Sequence, residues 1–263
     1  MDLHLKGKLA LVTAASEGIG LATAIELSRE GAKIILCSRN SNKLAIACQK
    51  IKDSCGQSPI IVSADLQSPR LEEIFLQAVG EDIHKIDIFV YNTGGPKIGN
   101  FLNISTLEWD ENYHQILSGF RQLVAMVIPG MTERRWGRVI TLASVSSKQP
   151  LEQLILSNVF RPALVALMKT LSIEFGESGI TFNTVSPGGI STARLESVFA
   201  KRSLDLGGSL ADIKEQYLSH IPLRRFGTPE DVAAIVTFIA STRSGFINGT
   251  NISIDGGMTR SFL

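Results

Sequence analysis

The sequence predicts a doubly wound α/β domain, a parallel seven-stranded sheet with helices on both faces. Three observations predict it. Seven apolar runs of strand length recur along the 263 residues; segments of about helical length separate the first six, several with amphipathic spacing; and no linker, repeat or low-complexity tract divides the chain. Strands that alternate with helices pair in parallel through right-handed crossovers, and strands covered on both faces read as continuous apolar runs. A hydrophobic content of 44% is enough to fill one such core.

The first strand is LALVTA (9–14). It runs into a helix whose Leu21, Ala24, Ile25 and Leu27 share one face, with a stop at Gly31. KIILC (33–37), PIIVSA (59–64), IDIFVY (86–91), GRVITLA (137–143), ITFNTV (180–185) and NISI (251–254) supply the other six strands. The helices at about 106–128 and 158–176 carry more apolar residues than one buried face requires. Residues 186–227 break the rhythm with PGG, a polar GGS and several charges. A long interruption after a strand end predicts a substrate flap, because ligands in such sheets sit at the carboxyl ends of strands. The predicted organisation is therefore one domain, 1–263, with the flap inside it.

Composition excludes several functions. Lys and Arg number 26 against 25 acids, so a net charge of +1 gives no field to gather nucleic acid or an anionic membrane. Runs such as LVAMVIPGM (123–131) are far shorter than a membrane span, and MDLHLKGK is too short and polar for a signal peptide. A cytoplasmic protein is expected. Cys37, Cys48 and Cys55 form no C-x-x-C, and His4, His84, His114 and His220 lack metal-ligand spacing, so no metal site is expected.

Gly18 and Gly20 open a helix directly after the first strand. Small residues there let the backbone approach a pyrophosphate, whose charge then sits on unpaired N–H groups at the positive helix end. The run Thr13-x-x-x-x-Gly18-Ile19-Gly20 resembles the Thr-Gly-x-x-x-Gly-x-Gly turn of the short-chain dehydrogenase/reductase family, with Ala14 replacing one glycine. Further matches are Asp65-Leu66, Asn92-Thr93-Gly94-Gly95, Ser144, Asn183-x-Val-x-Pro187-Gly188, RFGTPEDVA (225–233) and FINGTNISIDGG (246–257). They span nearly everything from residue 6 to residue 257 and are most similar to the 3-oxoacyl carrier-protein reductases. The resemblance implies a Rossmann-like fold, a nicotinamide cofactor, a small-molecule carbonyl or alcohol substrate and a homotetramer.

By that resemblance Asp65 accepts from the adenine amino group, Asn92 and Gly94 pack beside the adenosine ribose, Thr192 holds the nicotinamide carboxamide and Ile190 offers backbone contacts. Thr13, Ser16, Gly18, Ile19, Gly20, Ser38, Arg39, Leu66, Arg161, Pro187 and Gly188 complete the implied cofactor site. The second strand ends Cys37-Ser38-Arg39-Asn40, with no carboxylate for an adenosine 2′-hydroxyl. A guanidinium fits a 2′-phosphate, so Arg39 favours NADP(H) over NAD(H). Glu17 opposes it unless it turns to solvent or pairs with Arg39.

Carbonyl reduction in this family uses a serine, a tyrosine, a lysine four residues after the tyrosine, and an asparagine on the preceding helix. Ser144 matches the serine, whereas Ser157, Arg161 and Ile116 stand at the other three positions. An aliphatic hydroxyl is far less acidic than a phenol of pKa ~10, so Ser157 cannot replace the proton donor. Arg161 can hold ribose hydroxyls and keep a positive charge but cannot exchange protons near neutrality, and Ile116 cuts the relay. Pro162 interrupts the same segment, a cost that mostly disappears if the helix begins near Ser157 or Asn158. The remaining candidate acids are Tyr217 in the flap and Tyr113 one helical turn before Ile116, with Lys148 and Glu152 weaker still. Two readings follow: an oxidoreductase with an altered proton path, its catalytic residues Ser144, Ser157 and Arg161, or an impaired cofactor-binding protein with a regulatory or scaffolding role. The flap residues Leu195, Val198, Phe199, Lys201 and Arg202 suit an acyl chain or an anionic group.

Overall fold

The computed structural model describes residues 1–261, and the side chains of all of these except Asp205 and Leu206; Phe262 and Leu263 of the predicted domain lie outside the described residues. The chain alternates as β1 (Leu9–Thr13), α1 (Gly18–Arg29), β2 (Lys33–Ser38), α2 (Ser41–Cys55), β3 (Ile60–Ser63), α3 (Leu71–Val79) and β4 (Ile88–Tyr91). Its second half runs α4 (Thr106–Tyr113), α5 (Gly119–Glu133), β5 (Gly137–Leu142), α6 (Ile155–Glu174) and β6 (Ile180–Pro187). Then come α7 (Ala193–Leu206), α8 (Leu210–Ser219), α9 (Pro229–Ala240) and β7 (Asn251–Ile254). The strands form one seven-stranded parallel sheet in the order β3-β2-β1-β4-β5-β6-β7.

Strand alternation sorts the core into two layers. Leu11, Ile35, Phe89 and Phe182 face one side, where Phe75 of α3, Phe120 of α5 and Leu164 of α6 cover them. Val12, Leu36, Val90 and Ile140 face the other, under Leu27 of α1, Leu44 of α2 and Val236 of α9. β3 is an edge strand, and its Ile60 and Ile61 are exposed despite the apolar run that predicts them.

Two helices depart from their sequence reading. The helix predicted over 106–128 is interrupted by a π turn, His114–Ser118, between α4 and α5. A capping box of Ser105 and Glu108 starts α4. In α6 the first residue is Ile155, so Pro162 sits in the helix interior and neither Ser157 nor Asn158 is the cap. The chain before the helix decides this: Gly99 N–H donates to Gln153 O at 2.7 Å and Ile155 N–H to Gly99 O at 3.4 Å, pinning the start to the loop after β4. Asn158 folds back instead, accepting from Leu151 N–H at 3.0 Å and donating to Leu151 O at 2.8 Å. The helix continues through Pro162 for 20 residues.

Candidate functional site

The chain reverses its strand order between β1 and β4, and a crevice opens there at the carboxyl ends. It is a cavity of about 810 Å³ that runs from the β1–β2 edge to α7 and α8. That size is ordinary for a cofactor with a small ligand.

At its first end the β1–α1 turn supplies Ser16, Gly18 and Ile19. Gly18 has φ +57°, and a Cβ on Gly20 would lie 2.4 Å from Ala14 O, so α1 approaches the turn as only glycine permits. Ala14 itself is left-handed at φ +45°, a strain of ~1 kcal/mol. Glu17 is the N-cap of α1 and makes no side-chain cap bond, which leaves the first N–H groups of the helix turned to the cavity. Thr13 and Gly20 do not line the cavity. They build it: the buried Thr13 hydroxyl donates to Asn92 O at 2.7 Å and accepts from Asn92 N–H at 2.9 Å, tying β1 to β4.

Ser38, Arg39, Asp65 and Leu66 line the outer wall, where Ser16 and Ser38 hydroxyls meet at 3.0 Å. Glu17 does not pair with Arg39, as the sequence reading allowed. Its carboxylate meets Lys43 Nζ at 2.9 Å, while Arg39 Nη1 lies 3.8 Å from Asp65 Oδ2. Lys43 carries no signal in the sequence because its place is set by the packing of α2, which is capped by Asn40 through Lys43 N–H at 2.9 Å.

The inner end collects Asn92 and Gly94 from the β4 loop, Ser144 after β5, Ser157 and Arg161 from α6, and Pro187, Gly188, Ile190 and Thr192 after β6. Ser144 accepts from Ser146 N–H at 3.1 Å, which leaves its own hydroxyl proton for a ligand. Ser157 Oγ pairs with Ser146 Oγ at 2.8 Å in a buried contact. Arg161 is buried; Nη1 donates to Leu142 O at 2.7 Å and Nη2 to Thr93 Oγ1 at 2.9 Å, while Nε has no partner. Burial lowers its pKa to about 10, with a contribution from the nearby positive charge of Arg194. The group therefore stays a cation at neutral pH. Ser146 stands outside every motif, two positions from Ser144, and Thr93 stands inside the Asn92–Gly95 motif, which assigns it no contact of its own.

Ile116 is fully buried in the π turn and offers no polar atom to the cavity. Its neighbour Gln115 lines the cavity and donates to Gly94 O at 3.0 Å. Of the candidate acids, Tyr113 is exposed and does not line the cavity, and Lys148 does not either. Glu152 and Tyr217 do. The Tyr217 ring packs against Phe199 at 5.3 Å and Phe226 at 6.0 Å, and burial pushes its phenol above the ordinary range, which makes it a poorer acid. Phe199 is consequently packed inside the α7–α8 segment and does not line the cavity, and Lys201 is exposed outside it.

Among the described residues no helix is long and apolar enough to cross a membrane. Residues 13–259 match the family model described as enoyl-(acyl carrier protein) reductase. The chain is 34% identical to dehydrogenase/reductase SDR family member 4 of Caenorhabditis elegans, across 97% of this chain and 96% of that one. It is 29% identical to 3-oxoacyl-[acyl-carrier-protein] reductase FabG of Aquifex aeolicus, across 98% of this chain and 100% of the relative. Among solved structures, L-sorbose reductase of Gluconobacter frateurii, complexed with NADPH and L-sorbose, superposes with a TM-score of 0.93 at 29% identity over 100% of both chains. Matched along almost its whole length by the family model and by these relatives, the chain belongs to the short-chain dehydrogenase/reductase family of oxidoreductases.

Proposed function

We propose that this protein uses NADP(H), in preference to NAD(H), to interconvert a carbonyl and an alcohol on a small molecule, by a proton path unlike that of its relatives. The cavity residues fit such a cofactor. The uncapped start of α1 and the close turn at Gly18 and Gly20 suit a pyrophosphate, and Arg39 beside Ser38 suits a 2′-phosphate now that Lys43 neutralises Glu17. Asp65, Leu66, Asn92 and Gly94 would flank the adenosine, and Pro187, Gly188, Ile190 and Thr192 the nicotinamide. When bound, the cofactor supplies or accepts the hydride.

The observation that carries the reading is Arg161. Its guanidinium is locked by a strand carbonyl and Thr93, with Nε unpaired at the inner end of the cavity. Fixed there, the charge holds the cofactor ribose and stabilises a developing oxyanion without giving up a proton. Ser144 Oγ donates to the carbonyl oxygen. Ser157 is tied to Ser146 Oγ, and the N–H of Ser146 donates to Ser144 Oγ, so the pair positions Ser144; with no phenol at position 157, the proton that completes the alcohol is taken from solvent.

Residues 186–227, carrying α7 and α8, act as the substrate flap of this single domain. The protein works in the cytoplasm as a homotetramer, a reading supported by its three free cysteines and by apolar residues exposed on α4 and α6. Fluorescence titration with NADPH and NADH tests the cofactor: NADPH binds more tightly, and Arg39→Ala erases most of the difference. Equal affinities, or a preference for NADH that survives Arg39→Ala, would overturn the NADP(H) assignment.

A further inference from the structure

Beyond the nicotinamide end the cavity continues into a chamber walled by α7, α8, the β5–α6 loop and the chain after β7. Three of its side chains are cations, Arg194 and Arg202 of α7 and Arg260, and the imidazole of His220 stands at the end of α8. One carboxylate, Glu152, lines the same space. Arg194, Val198 and Arg202 recur every four residues, so a single face of α7 is turned inward with a cation at each end. At 1.5 Å per residue the two guanidinium-bearing positions lie ~12 Å apart along the axis.

These cations are not spent on internal partners to the same degree. Arg194 donates to Pro96 O across the cavity mouth and stands near Arg161, where the cofactor end lies. Among the described side chains none is hydrogen-bonded or ion-paired to the Arg202 or Arg260 guanidinium, and two acids of the surrounding segments, Glu196 and Asp255, are engaged elsewhere. Glu196 meets Lys214 Nζ at 2.8 Å on the outside of the flap, and Asp255 accepts from Gly257 and Thr259 N–H at 3.0 and 2.8 Å. Arg202 is half-buried and Arg260 exposed, and the Arg202 charge reaches the half-buried Tyr217 phenol, whose pKa it pulls down against the larger effect of burial. Cations gathered in a concave site with so little acid to balance them focus a positive potential on whatever enters.

We propose that the substrate carries, besides its carbonyl, an oxyanion group, a carboxylate or a phosphate, which Arg202 and Arg260 hold at the far end of the chamber. The proposal rests on the reading of the inner end as the carbonyl site. Leu195, Val198 and Met258 line the path between the two ends, so a short apolar linker joins carbonyl and anion. Arg194 closes over that linker through its bond to Pro96 O.

The test uses matched probes on the full-length protein, with and without saturating NADPH: acetoacetate against methyl acetoacetate, and dihydroxyacetone phosphate against dihydroxyacetone. Calorimetric titration is expected to give at least tenfold tighter binding for the anionic member of one pair, and the pair that responds tells carboxylate from phosphate. Arg202→Glu with Arg260→Ala is expected to erase that preference while leaving NADPH affinity and thermal unfolding unchanged. Neutral and charged members binding alike in both pairs, binding of none of the four at millimolar concentration, or a preference that survives the double substitution would each refute the proposal. Anion binding that depends on Arg202 and Arg260, with no NADPH oxidation by any probe, would overturn the carbonyl reading of the inner end and leave the anion site itself standing, so the two failures are distinct.

Discussion

At the scale of single residues, Ser157 and Arg161 replace a phenol and an amine with groups of different acidity, and their surroundings assign each a role. The Ser157 hydroxyl is buried against Ser146 Oγ at 2.8 Å, a neutral pair. Removing it in Ser157→Ala leaves one unpaired hydroxyl, costs ~1 kcal/mol of stability and changes initial rates by less than about threefold. Arg161→Ala takes away the guanidinium that spans Leu142 O and Thr93, and is expected to weaken NADPH binding by at least about tenfold, since hydrogen bonds from a charged group are worth ~1.5–3 kcal/mol. Initial rates and cofactor titrations on the two variants check both. A Ser157→Ala protein that binds NADPH normally and has lost its activity means that the hydroxyl touches substrate directly. The sequence already shows which motif residues are absent, because aligned spacing is a local property. It cannot show that Lys43 neutralises Glu17 or that Ser146 holds Ser157, because those partners meet only after α2 and α6 have packed.

At the scale of elements, α6 decides how far the site has drifted from its relatives. The sequence leaves Pro162 either inside a helix or in the first turn of one begun near Ser157 or Asn158, and the helix begins at Ile155 and runs on to Glu174. Propensity loses here to tertiary anchoring: the Gly99–Leu154 bridge fixes the entry, and Leu156, Phe160, Leu164 and Met168 bury one face at helical spacing. Ser157 and Arg161 therefore keep the four-residue relation on one face that the family's tyrosine and lysine have. The double substitution Ser157→Tyr with Arg161→Lys is accordingly expected to raise NADPH-linked reduction of a simple 3-oxo ester by ~10²-fold without any change at Pro162, the lower bound of what a general acid contributes. It stops there because Ile116, fully buried at the π turn, still blocks the relay. A rate that rises only when Pro162→Ala is added would show that the proline has displaced the helix face.

At the scale of the whole molecule, the legible and illegible parts of the sequence divide along one physical line. Sheet, layers and cavity position follow from period-two and helical apolar patterns, each read within a dozen residues, and strand runs such as NISI match their strands residue for residue. The chamber's charge, by contrast, is summed from α7 and the chain after β7, and Arg194, Arg202 and Arg260 line one cavity only because the fold brings those segments together. Surface apolarity belongs to the same global level. Phe101, Leu102 and Leu107 near the start of α4, Tyr113 at its end, and Val159 and Ile173 of α6 are exposed, Leu102 by 91% and Ile173 by 75%. Monomeric proteins rarely leave so many large apolar side chains on neighbouring elements, and a stable homomeric contact buries ~1,600 Å² or more. A closed assembly with two-fold axes is the economical way to cover an identical face on every copy. Light scattering at micromolar concentration is therefore expected to give a multiple of the 28.5 kDa chain, four copies by the family resemblance and two at least. Leu107→Lys together with Ile173→Lys places like charges on the facing helices and is expected to lower the mass while the circular dichroism of the fold is kept. A wild-type mass near 28.5 kDa, or an assembly indifferent to both lysines, would remove α4 and α6 as the contact face.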